Sequence, residues 1–206
     1  MDFVDIPSRT LVVNDRGEDY ILKTYKEWYA KIPLRFSYKQ EEIVYIKDNL
    51  VALYNEEGVQ MQNRRNKVEI WDFVDNKKIN EVSVGNNFGH MVYDKRTNLV
   101  YITGEIYNQT FMHFITYDVE KNKFKKQRIE EPIVTYSLLL SNNSEYIFIR
   151  DTNRIVRLKV LTLEVKIIFS IEHGEFERIE IVHNEDNSLF ALAYDIENTS
   201  IYEIVL

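Results

Sequence analysis

Residues 67–84 read KVEIWDFVDNKKINEVSV. Apolar and polar side chains alternate on both sides of the polar run Asp75-Asn76-Lys77-Lys78. That is the period-two pattern of two half-buried strands joined by a turn. The design recurs in residues 113–129, HFITYDVEKNKFKKQRI, and in residues 155–171, IVRLKVLTLEVKIIFSI. Residues 20–36, YILKTYKEWYAKIPLRF, are a looser copy, and SIYEIVL at 200–206 supplies the first strand of another. A second kind of hairpin lies between these: VYIKDNLVALY (44–54), HMVYDKRTNLVYI (90–102), YSLLLSNNSEYIFI (136–149) and IEIVHNEDNSLFALAY (179–194), with DFVDIPSRTLVV (2–13) as a fifth. About nineteen strands are predicted, with almost no helix.

Composition agrees with this reading. Of 206 residues, 45% are hydrophobic and 29% charged, which fits one water-soluble globular domain spanning residues 1–206. The 14 Tyr and 11 Phe favour strands. With only 6 Gly and 3 Pro, turns must rest on asparagines such as Asn76, Asn98, Asn122, Asn142, Asn143 and Asn187. Placing Lys23, Asp72, Asp118, Lys159 and Glu203 in register gives a repeat of forty to fifty residues. A repeat of that length with four strands per unit predicts an all-β fold, a small five-bladed β-propeller, with a β-sandwich as the alternative. The first or last blade is expected to be the weakest, its missing strand coming from Asp2–Ile6 beside Ser200–Leu206 or not at all.

Ile70-Trp71-Asp72 and Tyr117-Asp118 resemble the signature dipeptide of WD-repeat propellers. Leu158-Lys159 and Tyr202-Glu203 stand in the equivalent places of other repeats, and Gly89-His90 is the only Gly-His pair. The resemblance implies a ring-shaped scaffold for protein contacts.

A search for chemistry yields little. His90, His113, His173 and His183 show no metal-binding spacing; His183 reads as a turn residue and His173 as a loop residue. There is no nucleophile elbow, phosphate-binding loop or dinucleotide fingerprint. Glu41-Glu42, Glu56-Glu57 and Glu130-Glu131 are adjacent pairs, which on a strand point to opposite faces and cannot share a proton. Trp71, Tyr117, Phe148 and Phe190 read as core, whereas Trp28 and Tyr29 flank a turn and are expected to be exposed. No catalytic residue, metal or cofactor is expected, and the chain is read as not an enzyme. Without cysteine, a leader-like start or a bilayer-length apolar run, cytoplasmic residence is expected, with no membrane partner. The net charge of −7 argues against direct nucleic-acid binding.

Charge sorted by loop is more telling. In a propeller the longer connections share one end of the cylinder and the tight turns the other. The longer set holds about 16 acidic and about 7 basic residues, so this end is expected to be strongly negative. Its acids are Asp15, Glu18, Asp19, Glu41, Glu42, Glu130, Glu131, Glu172, Glu175, Glu177, Asp195 and Glu197, which with Trp28 and Tyr29 form the expected partner surface. Asn55–Lys67, NEEGVQMQNRRNK, reads as the longest loop, with Met61 exposed. In overall character (small, acidic, cysteine-free, rich in asparagine) the chain is similar to immunity proteins of bacterial contact-dependent inhibition systems. That similarity implies a basic nuclease toxin as partner, occluded by carboxylates. An adaptor propeller in a larger assembly and a propeller hydrolase or lyase are the other readings.

Overall fold

The computed structural model describes the backbone of residues 3–6, 10–15, 18–25, 28–34, 43–57, 65–72, 74–75, 77–85, 89–105, 110–171, 178–183, 189–194 and 199–204. Side chains are described within 44–54, 66–171 and 189–204. These residues form nineteen strands and no helix.

Each strand pairs with its neighbour in sequence, so the strands fall into antiparallel up-and-down sheets. The first contains β1 (Phe3–Ile6), β2 (Thr10–Asp15), β3 (Glu18–Tyr25) and β4 (Trp28–Leu34). The second contains β5 (Ile43–Lys47), β6 (Leu50–Glu57), β7 (Arg65–Asp72) and β8 (Lys77–Gly85). The third contains β9 (Met91–Asp94), β10 (Leu99–Glu105), β11 (Met112–Asp118) and β12 (Lys123–Ile129). The fourth contains β13 (Ser137–Leu140), β14 (Tyr146–Arg150), β15 (Arg154–Lys159) and β16 (Val165–Ser170). The fifth has three strands, β17 (Arg178–His183), β18 (Leu189–Tyr194) and β19 (Thr199–Ile204).

Phe3–Ile6 pairs with β2, Val4 opposite Val12, and the fifth sheet has three strands among the described residues, the second of the two outcomes expected for the last blade. Two differences from the sequence reading follow. His183 ends strand β17 opposite Leu189 instead of lying in a turn. The expected loop Asn55–Lys67 is ladder at both ends, where Asn55 pairs with Lys67, Glu56 with Asn66 and Glu57 with Arg65; residues 58–64, Met61 among them, lie outside the described residues.

Alternation of side chains across each strand explains how the sheets stack. On β10, Val100 and Ile102 face the second sheet and join Ala52, Val68, Ile70 and Val84 in one core. Tyr101 faces the other way, with Phe114, Ile147, Ile149 and Leu158, between the third and fourth sheets. On β14 the same switch sends Phe148 toward Leu189, Ala191 and Ala193 of the fifth sheet. Of the middle sheets, the third and fourth are therefore buried on both faces, by the sheet before and the sheet after. First strands lie side by side, β5 against β9 and β9 against β13.

A short motif closes the turns. Tyr93-Asp94 and Tyr117-Asp118 each stand at a strand end, followed at Asn98 and Asn122 by a left-handed residue (φ 55° and 49°). Asp94 Oδ1 accepts the Arg96 amide and Asp118 Oδ1 those of Glu120 and Lys121, while each Tyr hydroxyl donates to its Asn Oδ1 at 2.9 Å. Asparagine tolerates that backbone region better than branched residues do, and its amide supplies the acceptor. Asp72 accepts the Val74 and Asp75 amides likewise, so the Asp of the WD-like dipeptide is a turn-former. Trp71 is only partly buried and donates from Nε1 to Glu69 Oε2 at 2.8 Å, unlike Tyr117 and Phe148, which are core.

Candidate functional site

The best-defined part of the longer-loop end is the connection from β12 to β13. It continues the strand alternation: Ile129, Ile133 and Thr135 are buried anchors, so the intervening Val134 and Tyr136 project outward, 42% and 45% exposed. The loop is held from several sides. Tyr136 donates its amide to Arg150 O at 2.9 Å, the Thr135 hydroxyl reaches Met112 Sδ, and Arg154 Nη2 donates to Pro132 O at 2.8 Å. Arg154 is fixed in turn by buried Asp151, Nε to Oδ2 at 2.6 Å, and the Arg150 guanidinium lies over the Tyr136 ring. Two apolar side chains are thus presented on a rigid loop among charges.

Of Glu130 and Glu131, both expected to contribute to an acidic surface, Glu130 is matched by an arginine, its Oε1 2.6 Å from Arg128 Nε. Glu131 Oε1 lies 3.9 Å from Arg154 Nη1, but that guanidinium is already paired with Asp151. The Glu130 charge is balanced locally, which reduces the field it projects. Asp15, Glu18 and Asp19 fall within β2 and β3, with Asp15 opposite Glu18. Trp28 and Tyr29 open β4 opposite Tyr25 and Thr24. The side chains of these five, and Glu41, Glu42, Glu172, Glu175, Glu177, Asp195 and Glu197 altogether, lie outside the described residues. Val134, Tyr136 and the arginines were missed from sequence. The signal was the alternation PIVTY after the strand end, masked by the preceding polar pair.

Beside this loop stands a cationic cluster. Arg128 stacks on the Phe111 ring at 3.7 Å, and Phe111 meets the His113 ring edge-on at 5.3 Å. His113 Nδ1 is buried without a hydrogen-bond partner. Burial first, then the nearby Lys126 and Arg128 charges, hold its pKa below the ordinary imidazole value. The unfolded chain therefore takes up a proton that the folded chain resists. Stability is kept above about pH 6.5 and lost as the pH falls through the folded pKa. The melting temperature of the wild type is expected to drop more between pH 7 and pH 5 than that of His113→Gln. Parallel curves would show that burial of this imidazole has no cost.

Among the described residues no group of three or more His, Asp or Glu side chains is close enough to hold a metal ion. No helix among them is long and apolar enough to cross a membrane.

No family model matches the chain, and no curated protein does. Solved structures do. A crystal structure of the Mitotic Checkpoint Complex aligns at TM-score 0.65 and 15% identity, over 96% of this chain and 59% of that one. Hsv2 of Kluyvelomyces marxianus aligns at 0.62 and 12%, over 98% and 58%. The extracellular domain of the putative hybrid two component system BT4673 from B. thetaiotaomicron aligns at 0.57 and 14%, over 99% and 27%. The first two are WD40 propeller proteins. The fold is propeller-like. The chain spans between about a quarter and three-fifths of the length of these relatives, and at such low identity the likeness extends to fold alone.

Proposed function

We propose that this chain is a five-bladed propeller that binds another protein through its longer-loop end and catalyses no reaction. Five sheets of successive hairpins, the two-sided burial of the third and fourth sheets and the propeller neighbours support the ring. The binding reading rests on one observation: Val134 and Tyr136 are held exposed on a loop whose other residues are anchored. Aromatic side chains on a rigid support lose little entropy on contact and are enriched at interface centres.

The narrower form of the proposal is a basic partner in the cytoplasm, a nuclease toxin masked as an immunity protein masks it. Its support is the surplus of acid in the longer loops of the sequence, with steering of a cationic partner as the physical consequence. Glu130, paired with Arg128, adds less to that field than the count alone implies.

Photo-crosslinking in the source cells tests both forms. With a benzophenone amino acid in place of Tyr136, one dominant protein adduct is expected, while the same label at Lys77 on β8 gives none. Adducts no stronger at position 136 than at 77 would remove the binding reading. An adduct with an acidic protein would keep it and remove the toxin.

A further inference from the structure

A second candidate surface, rimmed by lysines, lies at the turn end of the molecule. Between the third sheet and the β15–β16 turn lies a groove of about 430 Å³. Its floor is apolar, formed by the half-buried Leu99 and Val160 over the buried, stacked pair Tyr101 and Phe114 (5.9 Å), and Asp118 lines it together with its ion-pair partner Lys121. Lys123 and Lys125 line its rim from β12, and Leu161, 90% exposed, stands on the facing turn.

The other cations of this stretch are engaged. Lys121 pairs with Asp118 at 2.6 Å, Arg128 with Glu130, and Lys126 donates to Ser83 O at 3.2 Å. Neither Lys123 nor Lys125 makes an ion pair among the described residues. No acidic residue interrupts residues 121–129, in a chain of net charge −7. β12 is also the outermost strand of its sheet, with no strand beside it among the described residues.

We infer that this groove docks an extended acidic segment of a partner protein. The segment lies along the edge of β12, with an apolar side chain on the groove floor and flanking carboxylates on Lys123 and Lys125. Strand addition supplies backbone hydrogen bonds, and a pocket for alternate side chains supplies selectivity. Lysines on an edge strand discourage pairing with neutral or basic strands, so acid is what this edge admits. The layering decides between a peptide and a membrane. Here the apolar floor lies beneath the cations, within reach of a single projecting side chain. A bilayer presents headgroups first and hydrocarbon behind them, which matches protruding apolar groups, and among the described residues lining the groove only Leu161 is an exposed apolar one.

The test uses a fluorescent nonapeptide alternating glutamate with leucine around a central phenylalanine. Saturable binding to the wild type is expected, weakened at least about tenfold by the double variant Lys123→Glu, Lys125→Glu and also by Leu161→Asp. Lys77→Glu, on the second sheet, should bind as the wild type does. Melting curves of the variants should match the wild type, since all the altered side chains are exposed. Three results would overturn the inference: undiminished binding to the double variant, equal binding of a polyglutamate peptide lacking apolar residues, or binding of phosphatidylserine-containing vesicles in place of the peptide.

Discussion

Gly104→Ala is expected to destabilise the protein by about 3 kcal/mol or more, the upper end of what overpacking a closed core costs. Gly104 lies in β10 opposite His113 and against Val84 of β8 in the second sheet. A methyl group built on it would sit 2.0 Å from the Val84 carbonyl oxygen and 2.9 Å from its carbon. Both obstacles are backbone, so no rotamer change relieves them. Val84 is itself fully buried in the core shared by the two sheets. Accommodating the methyl requires β8 to withdraw from β10, which opens contacts among Ile70, Val100 and Ile102. Gly104 is not among the residues of positive φ, so the effect is steric. Gly89 makes a similar approach, 2.0 Å from Thr103 O. Small domains have about 5–15 kcal/mol in total, so the loss is large. Urea denaturation measures it as a shift in midpoint at unchanged slope. A loss under about 1 kcal/mol would mean the sheets do not approach this closely.

Hairpins were legible because each hydrophobic alternation is local: KVEIWD and FITYD announce their faces within six residues. Loop length was less legible. Asn55-Glu56-Glu57 and Arg65-Asn66-Lys67 are polar, yet they pair as ladder because backbone hydrogen bonds do not require apolar side chains. The spacing aromatic-Asp-x-x-x-Asn, present at 93–98 and 117–122, was in the sequence but was read only as a family dipeptide. Its cause, a turn needing an amide acceptor and a left-handed residue four positions later, becomes visible with the hydrogen bonds. Charge was the least legible. Glu130 is matched by Arg128, which stands on β12 outside the loop, so a count by loop cannot tell a projecting carboxylate from a neutralised one. The turn-end groove needs Val160 and Leu161 from the next sheet, which no single hairpin reveals.

Phe148→Ala is expected to cost about 3–5 kcal/mol and to loosen the fifth sheet before the others. The ring is 0% exposed and is the largest fully buried side chain in the core between the fourth and fifth sheets. Its partners across that boundary include Ala191 and Ala193, small residues that leave the space a phenyl ring fills. Alanine at 148 would leave a cavity lined by Ile155, Ile171 and Leu189, and none of these can reach across it without leaving its own sheet. Ile147 and Ile149, on the opposite face of the same strand, belong to the core with the third sheet and should stay packed. Amide exchange can separate these two faces. Opening is expected to rise most in β18 and β19, which depend on the Phe148 cluster, and least in β6 and β7, whose core lies two sheets away. Phe148→Leu should restore most of the loss, since leucine refills part of the same volume. Uniform acceleration in β6 and β18 would instead mean that the sheets open as one cooperative unit, coupled around the molecule as well as along it.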